Sequence, residues 1–160
     1  MTKQIEIFDS LISKIESEQR RKQIEKMMEQ IGERYFTSPA SSNKSYHDAY
    51  PGGLLSHSLS LVSNLKKISS LFGPEIDNDS IIIVGLFHDL GKIGSLDGKD
   101  FYVPVKEQWK IERGSVYEYN KEIVDGLSHA QRSCRILSHY GVSLTDSEYA
   151  AILYHDGLYL

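Results

Sequence analysis

Histidines and aspartates that could bind a metal ion stand at several widely separated places in this sequence. They are His57, His88, Asp89, His129, His155 and Asp156. An imidazole beside a carboxylate at the end of an apolar run is costly to bury unless a cation compensates its polarity. Nitrogen and oxygen donors together suit Mn, Fe, Co, Ni or Zn, while Mg, which prefers oxygen, is a further candidate. The set therefore predicts one or two divalent metal ions with positions left open for water and substrate.

The first segment that must support this site runs from Ile5 to about Phe36. Apolar residues recur there at helical spacing, and charged residues fill the other faces. This pattern predicts one long helix or two short ones, with a break between Glu16 and Gln23, where no apolar residue occurs. The segment is expected to pack on the core, and it could also form a homo-oligomer contact.

The next predicted helix carries His57. A loop rich in Ser, Pro and Asn covers residues 37–50, and Pro51-Gly52-Gly53 then reads as a turn that opens a buried helix. His57 lies in the first turns of this helix. Gly73-Pro74 is expected to end it.

A fully apolar run over residues 81–87 leads into the His88-Asp89 doublet. Because the run is apolar on all sides, it is expected to be a central helix. Ser80 or Asp79 is expected to cap its beginning. The doublet would then lie at the end of a helix in the middle of the fold.

The remainder of the chain predicts an insertion and two more helices. Residues 95–119 are typical of a loop or short hairpin, interpreted as an insertion or lid. Helices are expected at about 121–140 and 145–154, the second opened by a capping box of Thr145 and Glu148. The fold class is therefore predicted to be all-α.

Length, composition and charge restrict the remaining possibilities. With 160 residues, the chain has room for a single domain, in which residues 1–36 pack on a core of 37–160. A net charge of −4 disfavours duplex nucleic acid as a partner. The single cysteine, Cys134, excludes an intramolecular disulfide and fits a reducing cytoplasm. No apolar run approaches a signal peptide or a membrane span, so neither export nor membrane insertion is expected.

Two segments, AYPGGLLSHSLSL at residues 49–61 and LFHDLGKIG at residues 86–94, carry a family resemblance. Together they are similar to the signature of the HD superfamily of metal-dependent phosphohydrolases and phosphodiesterases. The resemblance runs from about Tyr46 to the C-terminus, and WKIERG and AILYHDG look like segments of small bacterial and phage HD hydrolases. It implies an enzyme built on an all-helical HD bundle that contains the 95–119 insertion.

The resemblance also implies a ligand set. In the superfamily, a histidine, the His-Asp doublet and a later aspartate bind one metal, and further histidines in some branches bind a second. The matching positions are His57, His88 and Asp89 for the first ion and His129 and His155 for the second. In many relatives the last aspartate lies on a further helix. Asp156 is therefore the fourth ligand, or the site lacks that ligand, or a longer natural chain has been cut.

A single histidine would be only a weak sign of such a site. Alone, His57 or His88 is more typical of a packed core histidine, and their occurrence with Asp89 in the order of the family favours metal binding. His139 is predicted to be structural, because it lies near a helix end beside Gly141, where histidine commonly contacts the last carbonyl groups.

Metal-activated water is the mechanism that the resemblance implies. An ion can lower the pKa of a bound water and polarise a phosphoryl oxygen, and Asp89 could bridge two ions. Lys92 could neutralise a phosphate oxygen as a point charge. A solvated lysine after a helix C-terminus is an equally good interpretation of Lys92. Asp89 and Lys92 are thus the candidate catalytic residues.

Residues that could contact a substrate come from the insertion and from the loop before the Pro-Gly-Gly turn. Trp109 places an aromatic ring among cations, as a pocket for a base and its phosphates would require. The cations are Lys106, Lys110 and Arg113. His47 could reach the mouth of the site, and Lys92 could contact a phosphate. Alternatively, Trp109 anchors the insertion to the core and the charges are merely solvated.

Three functions remain open on the sequence alone. The leading hypothesis is hydrolysis of a phosphoester or phosphoanhydride bond in a nucleotide-like small molecule. The second is a phosphodiesterase acting on cyclic nucleotides or single-stranded nucleic-acid ends, although the acidic charge disfavours a polymer. The third, of another class, is a non-catalytic module that binds a nucleotide, or a partner protein through the N-terminal helix.

Overall fold

A computed structural model describes residues 2–72 and 76–157, and helices dominate this part of the chain. The helices are α1 (Thr2–Ile12), α2 (Glu18–Thr37), α3 (Gly53–Phe72), α4 (Asn78–Phe87), a 3-10 helix (Leu90–Ile93), α5 (Gln108–Glu112), α6 (His129–His139) and α7 (Asp146–Leu153), with strands β1 (Tyr102–Pro104) and β2 (Tyr117–Tyr119). The all-α prediction is confirmed. The end of α3 predicted at Gly73-Pro74 lies outside the described residues. None of the described helices combines the length and the apolar character that crossing a membrane would require.

Helix α4 is the central helix that its apolar sequence predicts. Its residues Ile82, Ile83, Leu86 and Phe87 are completely buried. Helices α3 and α7 both pack against it, so apolar residues on several of its faces find partners. Because α4 ends at Phe87, the polar doublet that follows is delivered from the middle of the core.

Helices α3 and α4 come into close contact at Gly85. A Cβ atom at this position would lie 2.5 Å from Val62 Cγ2 and 3.2 Å from Val62 Cα. Any larger side chain would therefore force the two helices apart. Since α3 carries His57 and α4 leads into His88, this contact also fixes the separation between the two imidazoles.

The N-terminal segment forms two helices, α1 and α2, joined by a turn over residues 13–17. The break lies earlier in the chain than predicted. It already ends at Ser17, because the side chain of Ser17 caps α2 by accepting a hydrogen bond from the Arg20 amide. The buried carboxylate of Asp79 accepts further hydrogen bonds from the amides of Glu16 (2.7 Å) and Ser17 (3.0 Å). The buried residues of α1 are Phe8, Leu11 and Ile12. These three residues belong to the buried apolar cluster of the fold. The division of the chain at residue 36 and the oligomer contact of this segment stay predictions.

Asp77 caps α4, and the prediction of Ser80 or Asp79 was wrong. The Asp77 carboxylate accepts a hydrogen bond from the Ser80 amide at 3.1 Å. Asp79 is not free to cap, because its buried side chain binds the turn between α1 and α2. The four polar residues 77–80 before the apolar run leave the capping residue ambiguous in sequence.

The insertion forms the predicted hairpin. Strands β1 and β2 pair antiparallel, with Tyr102 opposite Tyr119 and Pro104 opposite Tyr117. The short helix α5 between the strands was not predicted. It occupies the segment that contains Trp109.

Helix α6 begins later than predicted, and residues 121–128 are irregular. A capping box fixes its start, because the Ser128 side chain accepts from the Gln131 amide and the Gln131 side chain accepts from the Ser128 amide. Gly126 has a φ of 69°, a left-handed conformation that interrupts a helix. The capping box of Thr145 and Glu148 is present at α7 as predicted.

Replacement of Gly85 by alanine tests the contact between α3 and α4. We expect Gly85→Ala to lower the free energy of unfolding by about 1–3 kcal/mol, because the new Cβ overlaps Val62. Urea denaturation followed by circular dichroism measures the change. Gly32→Ala in α2 is the matched control: the nearest atoms would lie 3.5 and 3.6 Å from its Cβ, so stability should be unchanged or raised by up to about 1 kcal/mol. A Gly85→Ala protein as stable as the unmodified chain would contradict the close contact.

Candidate metal centre

The ends of four helices bring the candidate ligands to one place. His57 lies in the first turns of α3, and His88 is the C-cap of α4. Asp89 directly precedes the 3-10 helix. His129 is the first residue of α6, and His155 follows the end of α7. Residues far apart in sequence therefore converge because their helices point at a common centre.

Ser133 holds the start of α6 against the corner formed by the doublet. Its hydroxyl donates a hydrogen bond to the His88 carbonyl (2.8 Å) and accepts one from the Gly91 amide (2.7 Å). Glycine is needed at position 91, because a Cβ atom there would overlap the carbonyl oxygen of His129. This close approach places the His129 imidazole beside Asp89.

His57, His88 and Asp89 form a first group with donor atoms close enough to hold one ion. The Nε2 atoms of the two imidazoles lie 3.1 Å apart. Each of them lies 3.4 Å from Asp89 Oδ2. The predicted convergence of two imidazoles and one carboxylate is therefore present.

Asp89 also belongs to a second group, with His129 and His155. The Nε2 atoms of these two imidazoles lie 3.3 Å apart. Each of them lies 3.3 Å from Asp89 Oδ1. The two oxygens of one carboxylate thus face two different pairs of imidazoles, as they would in a carboxylate shared by two cations.

Hydrogen bonds at the opposite ring nitrogens orient two of these imidazoles. His88 Nδ1 lies 3.2 Å from the Gly85 carbonyl oxygen, and His155 Nδ1 lies 2.7 Å from that of Ile152. A carbonyl oxygen only accepts, so each Nδ1 donates, and in a neutral imidazole Nε2 then carries a lone pair.

The donor set fits a transition-metal ion. Ligand atoms about 2.0–2.2 Å from one ion lie about 3.0–3.6 Å from each other, which agrees with the spacing in both groups. Asp89 is 2% exposed, and among the described residues no donor makes a hydrogen bond to its Oδ1. A buried oxygen without a partner is costly, and a cation would satisfy it. The buried histidine and aspartate groups could therefore hold a divalent metal ion.

The surroundings keep Asp89 ionised and His57 neutral. Burial alone would raise the pKa of the Asp89 carboxyl, but the imidazoles of His155 and His88 outweigh it and hold this pKa well below its usual range. Burial, followed by the proximity of His88, lowers the pKa of His57 to about 4. Burial also lowers the pKa of His129, whereas the Asp89 carboxylate overcomes burial at His155 and raises its pKa. An ionised carboxylate and a neutral imidazole are the forms that bind metal.

Lys92 lies at the same centre. Its Nζ atom is 2.7 Å from Asp89 Oδ2, and its side chain is 11% exposed. The lysine is therefore paired with the shared carboxylate and is not merely solvated. Its role in catalysis stays a prediction.

Asp156 approaches the second group from the solvent side. Its Oδ2 atom lies 2.8 Å from His129 Nε2, and its Oδ1 atom lies 3.4 Å from His155 Nε2. The side chain is 55% exposed. This placement is compatible with a fourth ligand, which stays a prediction.

A cleft of about 480 Å³ opens beside the second group. The loop over residues 38–52 forms one wall, and Tyr102 and Tyr119 of the hairpin form the other. Lys92 and His129 also line it, and because both contact the buried Asp89 they are termed the floor of the cleft. A substrate in this cleft would contact the candidate ligands directly.

His47 reaches the cleft, where the sequence placed it. Its imidazole stacks on that of His57, with the ring centroids 4.4 Å apart and the planes inclined by 27°. It also lines the cleft. His47 could therefore contact both a substrate and a candidate ligand.

The other predicted substrate residues do not line this cleft. Trp109 is 55% exposed, so it does not anchor the insertion to the core. The Arg113 guanidinium lies 5.2 Å from the Trp109 ring, and Lys110 Nζ forms an ion pair with Glu118 at 2.6 Å. Contact of Trp109, Lys106, Lys110 or Arg113 with a substrate stays a prediction.

Tyr102 and Tyr119 were missed in the sequence. Both lie in aromatic-rich segments that were correctly assigned to a hairpin. Which side chains face the site depends on the pairing register of the strands, however, and a three-residue strand does not reveal its register. The register of Tyr102 opposite Tyr119 became visible only in the structure.

Known proteins similar to this chain include two curated relatives from Bacillus. The chain is 29% identical over 120 residues to the 3'-5' exoribonuclease YhaM of Bacillus subtilis, which is 75% of this chain and 33% of the relative. It is 26% identical over 129 residues to the 3'-5' exoribonuclease YhaM of Bacillus licheniformis, or 81% of this chain and 35% of the relative. The chain thus spans about a third of the length of these relatives. No family model matches the chain, and no solved structure is significantly similar to it.

Metal content tests the two ligand groups separately. We expect purified protein to hold transition metal, measured by inductively coupled plasma mass spectrometry. His57→Ala and His129→Ala should each lose the ion of one group, since each removes a donor from only that group. Asp89→Asn should lose metal from both, because Asp89 alone belongs to both.

The control for these variants is His139→Ala. This histidine is exposed at the far end of α6, so its removal should leave the metal content unchanged. Full metal content in Asp89→Asn, or an equal loss in His139→Ala, would refute the assignment.

Proposed function

We propose that this chain is an HD-type metal-dependent phosphohydrolase, which cleaves a phosphoester or phosphoanhydride bond in a nucleotide-like substrate. The proposal rests on one observation: the two oxygens of the buried Asp89 carboxylate face two separate pairs of imidazoles. Such a donor set suits two divalent ions, and paired ions are a recurrent device for cleaving phosphate bonds.

The relatives and the order of the motifs support the reaction class. Both relatives are 3'-5' exoribonucleases, and their similarity to this chain favours hydrolysis of a phosphate bond. The HD type is favoured by the order of His57, the His88-Asp89 doublet, His129 and His155 along the chain. Fold alone would not decide the chemistry.

The residues of the site would have different roles in this reaction. A divalent ion bound here would lower the pKa of a water ligand and polarise a phosphoryl oxygen. Asp89, kept ionised, contributes negative charge to both groups. His88 and His155 present their Nε2 atoms inwards, because their Nδ1 atoms are held by backbone carbonyls. Lys92, on the floor of the cleft, can neutralise a non-bridging oxygen of the substrate.

The cleft favours a small substrate. Its volume of about 480 Å³ lies within the range of pockets for small molecules. The chain has a net charge of −4, which disfavours contact with a long phosphate backbone. A nucleotide-like small molecule is therefore the first candidate.

The second candidate is the 3' end of a single-stranded RNA. It is favoured by the exoribonuclease relatives. Only the terminal nucleotide would then have to enter the cleft. This chain spans about a third of those relatives, so binding of a longer RNA by this region alone is not implied.

An activity screen tests the proposal. We expect phosphate or nucleotide release from nucleoside triphosphates, cyclic nucleotides or 3'-labelled RNA when Mn, Co, Ni, Fe, Zn or Mg is supplied, and loss of release when a chelator is added. Product is measured by colorimetric phosphate assay and by chromatography. Metal-loaded protein that is inactive on every substrate would favour a non-catalytic binding module. Activity that survives chelation would contradict the mechanism.

Variants at Asp89 and Lys92 separate metal binding from substrate stabilisation. Asp89→Asn should lose both metal and activity. Lys92→Ala should keep its metal but turn over about 100-fold more slowly, because one charge that stabilises the phosphate is missing. His139→Ala should retain full activity. Unchanged kcat in Lys92→Ala would remove Lys92 from the mechanism.

A further inference from the structure

The cleft has one aromatic wall that the proposed chemistry does not use. Tyr102 and Tyr119 face each other across the hairpin as a cross-strand pair. Their ring centroids lie 5.7 Å apart, and their planes are inclined by only 24°. Tyr119 is 63% exposed. The two rings are therefore stacked on each other, and the exposed Tyr119 ring, backed by Tyr102, offers a π surface at the entrance to the cleft.

This wall is supported from behind. The Phe101 ring packs edge-on against both tyrosines, with centroid distances of 4.8 Å to Tyr102 and 5.2 Å to Tyr119. The Arg132 guanidinium lies 5.1 Å from the centroid of the Phe101 ring. Arg132 is 3% exposed and forms an ion pair with Asp125 at 2.7 Å. The aromatic pair is thus fixed to α6, the helix that begins with His129.

Backbone hydrogen bonds connect the two walls of the cleft. The carbonyl oxygen of Ser42 accepts from the amides of Val116 (2.8 Å) and Tyr117 (3.0 Å), and the Lys44 amide donates to the Gly114 carbonyl (2.9 Å). The width of the cleft is therefore set before a ligand binds. A preformed site avoids the entropic cost of ordering its walls.

The charges of the cleft indicate which ligand fits. Lys92 is the one lysine or arginine among the described residues that line it. The lining side chain that can neutralise a phosphate thus lies beside the metal centre, paired with Asp89, while Tyr102 and Tyr119 supply an aromatic wall. A ligand with a phosphate at one end and a flat ring at the other could contact Lys92 and the tyrosine wall at the same time. A nucleotide has this form, and stacking of a base on an aromatic side chain does not depend on which base it is.

We infer that Tyr102 and Tyr119 form a stacking platform for the base of the nucleotide whose phosphate lies on the floor of the cleft. This inference rests on the proposed function for the position of the phosphate. The platform selects for the presence of a base and not for its identity. It accepts the base of a free nucleotide or the terminal base of an RNA, since both present the same π face.

Substitutions of Tyr119 test the platform, because this exposed side chain can be changed without disturbing the core. Each base-bearing ligand is compared with a base-free counterpart: a nucleoside triphosphate with tripolyphosphate, and a short RNA with the same RNA that ends in an abasic nucleotide. Affinity is measured by calorimetry with non-hydrolysable imido analogues of the triphosphates and with phosphorothioate RNAs, and KM and kcat are measured with the hydrolysable forms.

Tyr119→Ala should weaken binding of the base-bearing ligand by about 5- to 100-fold and leave the base-free ligand unchanged. Tyr119→Trp should restore the affinity. Tyr149→Ala, which removes an exposed tyrosine that does not line the cleft, is the matched control and should have no effect. If Tyr119→Ala weakens binding of the nucleoside triphosphate only, the ligand is a free nucleotide. If it weakens binding of the RNA only, the ligand is an RNA terminus.

Equal changes for base-bearing and base-free ligands, or no change for either, would overturn the platform. The binding measurements decide this even if the protein hydrolyses nothing, in which case the proposed function fails separately. Circular dichroism and metal content should be the same in all variants. A Tyr119→Ala protein that has lost its metal would also overturn the inference, because the tyrosine would then support the metal centre instead.

Discussion

One buried carboxylate determines how this molecule is arranged. Asp89 is almost completely enclosed, and its charge can be tolerated only because imidazoles and a lysine surround it. To supply those partners, α3 and α6 must begin, and α4 and α7 must end, at the same point. The close contacts at Gly85 and Gly91 follow from this requirement, since each lets a ligand-bearing helix approach near enough.

The sequence predicted those parts of the fold that depend on local or strongly periodic patterns. The apolar run over residues 81–87 became the central helix, and the capping box at Thr145 marked the start of α7. The start of α6 was missed although Ser128 and Gln131 form the same kind of box, because the helix was extended back over Gly126, which has a left-handed conformation. The cap of α4 was misassigned because a long-range contact engages Asp79, and no local pattern reports such a contact.

The candidate site likewise has parts that the sequence predicts and parts that it does not. The candidate ligands could be identified in the sequence because a histidine and an acid at the end of an apolar helix are costly without a cation. The aromatic wall of the cleft could not, because it depends on how two short strands pair and on which face of the hairpin meets the loop over residues 38–52. Trp109 was the more conspicuous aromatic residue in the sequence, yet Tyr102 and Tyr119 line the cleft.

The attachment of the hairpin has a consequence for how such a protein can change. The loop over residues 38–52 is joined to residues 114, 116 and 117 by backbone groups, and these bonds do not depend on side-chain identity. Among the described residues, the donors of both candidate metal-ligand groups come from outside the strands. The side chains on β1 and β2 can therefore be exchanged while both groups of candidate ligands stay unchanged.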